Sequence, residues 1–240
     1  MAKKRFDPME AARGAVLAAE RAVGDKLIAA MVYGSVASGE FHPDHSDVNV
    51  GLVFTALGSG ELTALRGAHE AWVERRVVRP LLLSRKSLEQ SRDTFPLEYL
   101  LIRERHVALH GPDLFASIAI ERAPLRAQVE RVLRAQELGF AVSYVALAGT
   151  PDGARRWAAQ ASSAIAASAS GLLHLTGEAI PPTRAALAER CAARLGIDRE
   201  ALDALFRRDG ATIPATRVLD AAQALLLKLL DEVERLDGAR

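Results

Sequence analysis

Apolar positions change their spacing about halfway along this chain, and that change predicts its organisation. Before residue 115, short runs of apolar and β-branched residues alternate with stretches of helical period, the pattern of a mixed α/β unit. Ala11, Ala15, Ala18 and Ala22 recur at steps of three or four, so a helix is expected over residues 8–23, stopped by Gly24. Residues 27–33 are almost wholly apolar and end at Gly34-Ser35, which suits a buried strand. A second strand is expected over 47–54, with Val48, Val50 and Leu52 on one face. A helix over 58–76 and a third strand over 77–83 follow. Ser84 then opens a helix that runs to about residue 93, its hydroxyl serving as the cap.

From Pro124 the period is helical throughout. Leu125, Val129, Val132, Gln136, Phe140 and Leu147 fall at steps of three, four or seven, a stripe that packs against neighbouring helices. Residues 154–175 form a second helix, in which Ala159, Ser163, Ala166 and Ser170 are small enough for close helix contact. Residues 149–153 read as the turn before it. Pro181-Pro182 opens a third helix that Gly196 closes; a short one covers 198–208 and the last spans 215–236. The expectation is an α+β protein with a mixed-sheet domain over residues 1–115 and an all-α helical bundle over 124–240.

Composition narrows the field. The chain has 240 residues, 31 basic and 30 acidic, for a net charge of +1. A chain of this mass can bury roughly 72% of its unfolded surface on folding, and balanced charge gives no strong nucleic-acid signal. The single cysteine, Cys191, excludes an internal disulfide framework and a multi-cysteine zinc site. It reads as a small buried residue on a helix, as Trp72 and Trp157 read as core. No run reaches the ~18 apolar residues of a membrane helix. Phe6-Asp7-Pro8 stands where a secretory apolar core would follow the basic N-terminus, so cytoplasm is the expected compartment.

The candidate chemistry lies between Met31 and Phe54. A strand ends in Gly34-Ser35, Ser38-Gly39 follows, and Ser46-Asp47-Val48-Asn49 opens the next strand. Gly34 lets a ligand approach the backbone closely. The amides after it and the Ser35 hydroxyl, at the start of an expected helical turn, suit phosphate oxygens. Asp47 and Asn49, two apart in a strand, would project from one face, and two oxygen-bearing side chains facing phosphates make a Mg²⁺ site plausible on chemistry.

These residues resemble the nucleotidyltransferase superfamily of DNA polymerase β and kanamycin nucleotidyltransferase, whose pattern is an apolar strand, Gly-Ser, a spacer, then Asp-x-Asp/Glu on the next strand. Arg79-Pro80-Leu81-Leu82-Leu83, Phe95-Pro96-Leu97-Glu98 and Leu109-His110-Gly111 look like a bacterial subgroup of nucleotidyltransferase-domain proteins with a helical C-terminal domain. The resemblance implies transfer of a nucleoside monophosphate from an NTP to a hydroxyl of a small molecule or protein. It implies nucleotide binding by Gly34, Ser35, Ser38, Asp47 and Asn49, Mg²⁺ on Asp47 and Asn49, and Asp47 as the catalytic residue through the metal it ligates.

The pattern is incomplete in this sequence. Asn49 stands where the second acid is expected, and residues 77–83 offer no third acid on either face. Loss of one electrostatic group at a transition state commonly costs ~10²–10³ in rate, so impaired transfer and a non-catalytic nucleotide- or partner-binding role are both open. Glu98, His42 and His45 are candidate substitutes for the missing acids, against readings as a solvated helix acid and as surface loop histidines. Asp44 reads as a turn residue, and Arg79 as a phosphate contact or a solvated strand end. The Arg105-to-His110 spacing of a helical RNase motif lies outside the helical half and is attributed to chance. A third role, as a structural or antitoxin-like protein, would make the helical half a partner or homodimer surface.

Overall fold

The computed structural model describes residues 6–44, 46–147, 151–207 and 213–238. The chain divides into two compact units, one of residues 1–94 and 98–120, the other of Phe95–Leu97 and 121–240.

The first unit is a mixed sheet with helices. Helix α1 (Pro8–Val23) is fixed at its start by Asp7, whose Oδ1 accepts the amides of Met9 (2.8 Å) and Glu10 (3.0 Å), and Gly24 closes it at φ 61°. Strands β1 (Leu27–Tyr33) and β2 (Asn49–Phe54) pair antiparallel, Tyr33 opposite Asn49 and Leu27 opposite Phe54. A register shift between Leu27 and Ala29 inserts a bulge, after which the side chains alternate cleanly. Ala30 and Val32 join Val48, Val50, Leu52 and Phe54 beneath α1. Ala29, Met31 and Val53 pack on the opposite face with Leu88, Tyr99, Ile102, Phe115 and Ile118.

The connection from β2 carries α2 (Ser59–Leu65), a 3₁₀ turn (Arg66–Ala68) and α3 (His69–Glu74). The single helix expected over 58–76 is therefore three pieces. Trp72 is buried and donates its indole N–H to the Ala15 carbonyl at 3.0 Å, so its amphipathic ring closes α3 onto α1.

Strand β3 (Leu81–Ser84) runs parallel to β2, and the sheet order is β3-β2-β1-β4. The third strand is thus much shorter than the expected 77–83. Pro80 has no N–H for a ladder, and the Val77 amide is taken by the Trp72 carbonyl at 2.9 Å. Ser84 does cap α4 (Arg85–Gln90), its hydroxyl accepting the Ser87 amide at 2.9 Å. That helix stops before the expected residue 93. Helix α5 (Pro96–Glu104) then leads into β4 (His106–His110), which pairs antiparallel with β1. The apolar pattern of residues 106–110 does not predict a strand.

The second unit is helical: α6 (Arg122–Leu147), α7 (Pro151–Leu175), α8 (Arg184–Leu195), α9 (Arg199–Arg207) and α10 (Ala215–Gly238). Of the expected α6 stripe, Leu125, Val129 and Phe140 are buried, while Val132 and Gln136 are half-buried and Leu133 takes the core position. On α7, Ala166 and Ser170 are buried, Ser163 is half-buried and Ala159 is exposed. Close packing instead centres on Gly171, where a β-carbon would stand 2.7 Å from Val129 and 2.8 Å from Leu97. Trp157 is buried edge-on against Phe140, centroids 4.9 Å apart. Thr183 caps α8 and Gly196 ends it in the left-handed conformation. Of the turn expected at 149–153, residues 149 and 150 lie outside the described residues and the rest begins α7. Among the described residues no helix is long and apolar enough to cross a membrane.

Candidate functional site

The antiparallel pairing of β1 and β2 brings the end of one strand beside the start of the other. Tyr33 is the last residue of β1 and lies opposite Asn49, the first of β2, so the Gly34-Ser35 turn emerges next to the Asn49 side chain. Gly34 holds φ at +72°, and a β-carbon added to it would stand 3.0 Å from Asn49 Nδ2. The glycine is required twice, by the backbone angle and by the neighbouring amide.

Residues 34–39 form consecutive turns, the first closed by a bond of helical spacing, and do not go on into a helix. The Ser38 amide donates to the Gly34 carbonyl (2.9 Å), the Gly39 amide to Val36 (3.3 Å) and the Glu40 amide to Ser35 (2.9 Å). These bonds fold the segment back on itself. Ser38 Oγ is engaged with the Ser35 carbonyl at 3.4 Å and with Glu40 Oε2 at 3.3 Å. The half-buried Ser35 hydroxyl makes no hydrogen bond among the described residues.

Asp47 is placed differently from the sequence expectation. Strand β2 begins at Asn49, so Asp47 sits in the exposed lead-in just ahead of it, with Val48 between them buried in the core of Val50 and Leu52. The reason lies in Val48, whose amide donates to the Arg76 carbonyl at 3.0 Å and so cannot join the β1 ladder. Arg76 itself is a non-glycine residue at φ 62°. Its guanidinium donates to the Pro43 carbonyl and stands 5.5 Å over the rings of Phe41 and Phe6, which stack at 5.7 Å. The lead-in is therefore held from the far end of α3. Within it, Ser46 returns a bond to His42 at each end: its amide donates to the His42 carbonyl (2.9 Å), and its Oγ accepts the His42 amide (3.1 Å).

The substitutes sought for the missing acids divide. Glu98 is exposed in the first turn of α5, and His42 is exposed with its Nδ1 accepting the Asp44 amide at 3.3 Å, so Asp44 is a turn residue. His45 lies outside the described residues. Arg79 is exposed ahead of β3. Among the described residues no group of three or more His, Cys, Asp or Glu side chains is placed to hold a metal ion.

Two residues at this sheet end were not singled out from the motif. The Arg105 carbonyl accepts the Gly34 amide at 3.3 Å, which ties the turn to the start of β4. Burial lowers the affinity of the Arg105 guanidinium for its proton, and the carboxylates of Glu40 and Glu104 oppose that shift. Arg105 and Glu40 thus place a cation and an anion around the turn. The sequence signal at Arg105 is its spacing to His110; Glu40 carries none. His110 Nε2 lies 3.2 Å from the Leu27 carbonyl, a packing role at the other end of β1.

This four-stranded mixed sheet, with a Gly-Ser turn beside the tip of its second strand and a helical C-terminal region, is the nucleotidyltransferase-like α+β fold. A solved structure that shares it is spectinomycin adenyltransferase AAD(9) from Enterococcus faecialis, described with ATP and spectinomycin. The match has a TM-score of 0.58 at 11% sequence identity and covers 95% of this chain and 100% of that one. No protein-family model and no curated protein sequence matches the chain.

Proposed function

We propose that this chain binds a nucleoside triphosphate at the Gly34–Ser38 turn and transfers its nucleoside monophosphate to a hydroxyl of a small molecule. The observation that carries the reading is the juxtaposition of the positive-φ Gly34 turn with Asn49, two places that the resemblance assigns to phosphates and metal. The fold shared with a protein solved with ATP and spectinomycin supports an NTP and a small acceptor. In this reading Ser35, whose hydroxyl is uncommitted, and Ser38 hold phosphate oxygens. Asp47 supplies the carboxylate, and the Asn49 carbonyl oxygen assists it.

The donor set fits one Mg²⁺ bound jointly by Asp47, Asn49 and phosphate oxygens, since that ion takes one or two carboxylates plus phosphates. It does not fit the two-ion arrangement, which needs more carboxylate charge to hold the cations together. When bound, such an ion would neutralise the charge of the triphosphate.

A second reading is favoured by a specific observation, the amide at position 49 together with a β3 that carries no acid. In it the same turn binds nucleotide without turnover. Incubation with labelled ATP, GTP, CTP and UTP and Mg²⁺ or Mn²⁺ separates the two. Label on a small molecule or protein, lost in Asp47→Ala, establishes transfer. Calorimetric binding without label establishes the second reading, and absence of binding at millimolar nucleotide removes both.

A further inference from the structure

The helical unit contains a cleft of about 780 Å³ that the proposed nucleotide site does not use. Its walls come from the first turn of α6, from Thr176 just past α7, and from the last turns of α8 and α10. Four arginines line it, Arg122, Arg126, Arg194 and Arg235, against two glutamates, Glu121 and Glu232.

Glu121 makes no ion pair among the described residues and offsets part of that charge, but Arg122 and Arg235 are left without a paired acid. Glu232 is taken up by Arg194, with contacts of 3.0 and 2.9 Å. Arg126 is matched by Glu130 at 2.9 Å. Arg122 gives an N–H to the Leu175 carbonyl, a neutral acceptor, which leaves its charge uncompensated and most of its five donors available. Arg235 is exposed and makes no ion pair among the described residues. The positive end of the long helix α6 opens into the same space, with Glu121 just ahead of it and no acidic residue within its first turn.

We propose that this cleft binds a small polyanion, a molecule carrying two or more phosphate or carboxylate groups, with Arg122 and Arg235 as its guanidinium forks. Planar guanidinium groups match the paired oxygens of both chemistries. A volume of this size lies in the range of small-molecule pockets, so it suits an organic anion more than a lone ion. The Thr176 hydroxyl supplies a polar contact without charge.

The test is calorimetry on the full chain at low ionic strength, with inorganic pyrophosphate and citrate as the two probes. Saturable binding of either is expected, weakened about tenfold or more by Arg235→Ala, as loss of one charge-assisted contact implies. Preference for one probe assigns the phosphate or the carboxylate chemistry. Arg235 is exposed, so its replacement leaves the fold intact; Arg122→Lys, which keeps the charge and removes the fork, gives a second measure. Asp47→Ala and Ser35→Ala retain the binding if the site is in the helical unit. Absence of binding by both probes at millimolar concentration overturns the proposal. So does equal affinity in Arg235→Ala, or loss of binding in the Ser35 and Asp47 variants. That last outcome leaves the nucleotide reading standing, and binding that survives those variants is independent of it.

Discussion

Gly34 and Asn49 face each other so closely that a β-carbon on the glycine would stand 3.0 Å from the asparagine Nδ2. The last turn of one strand and the first residue of its neighbour therefore act as one structural unit. Gly34→Ala meets two costs. Left-handed backbone costs an L-residue about 1–2 kcal/mol, and Asn49 must yield a few tenths of an ångström. Chemical unfolding should show a loss of at least that size, and nucleotide affinity should fall with it. Adding Asn49→Ala removes the contact but not the backbone term, so the double variant should recover only part of the stability. Full recovery would show that the φ of +72° costs alanine nothing there.

Restoring the acid at position 49 addresses the chemistry. Asn49→Asp places a second carboxylate beside the Gly34 turn. A Mg²⁺ titration followed by calorimetry should shift to lower concentration, and transfer, where present, should rise by about 10². An unchanged titration would mean that residue 49 does not reach the ion.

Gly111 holds together the other side of the same sheet. It has φ +65°, and a β-carbon there would overlap the Ile28 carbonyl oxygen of β1, backbone that cannot rotate away. Gly111→Ala should destabilise the chain by about 3 kcal/mol or more, read as a lowered unfolding midpoint. A variant as stable as the parent would mean that the 110–113 turn can move off β1.

The acid sensitivity of the sheet unit should centre on Glu61. Its carboxylate accepts from Lys26 Nζ at 2.5 Å and from the Gly58 amide at 2.9 Å, and these bonds hold it down at about 2. A carboxylate lowered on folding contributes its full stability above its ordinary value of 4.5 and loses it as pH falls toward 2. The same bond raises Lys26 above 10.5, so its share is present below that pH and fades as pH rises through the raised value. Unfolding midpoints of Glu61→Gln should converge on those of the parent as pH falls toward 2; a constant gap would place the effect elsewhere.

The helices, β1 and the helical second unit were legible because their signals are local. Asp7 and Pro8 start α1, Gly24 and Gly196 end helices, and apolar periods of three and four span the rest. The start of β2 falls two residues later than the expected 47 because it depends on Arg76, distant in sequence, whose carbonyl takes the Val48 amide. No local pattern encodes that bond. Strand β4 was missed for a related reason: His106–His110 alternates weakly, with Val107 and Ala108 exposed, and its strand character comes from pairing with β1. Pro80 was visible, and its missing N–H already argued for a shorter β3. Among the site residues, Gly34 and Ser35 were readable from the motif, whereas Arg105 enters through its carbonyl, which any residue type could supply.

The first turn of α5 carries a consequence for anyone dissecting this chain. Leu97 donates its amide to Oε1 of the buried Gln128 at 2.8 Å, and Phe95–Leu97 groups with the helical residues while the remainder of α5 groups with the sheet. A gene truncation near residue 120 would separate that amide from its acceptor and cost the buried Gln128 this hydrogen bond. Neither half is then a finished product on its own, and co-expression of the two pieces is the sounder route to separating their roles.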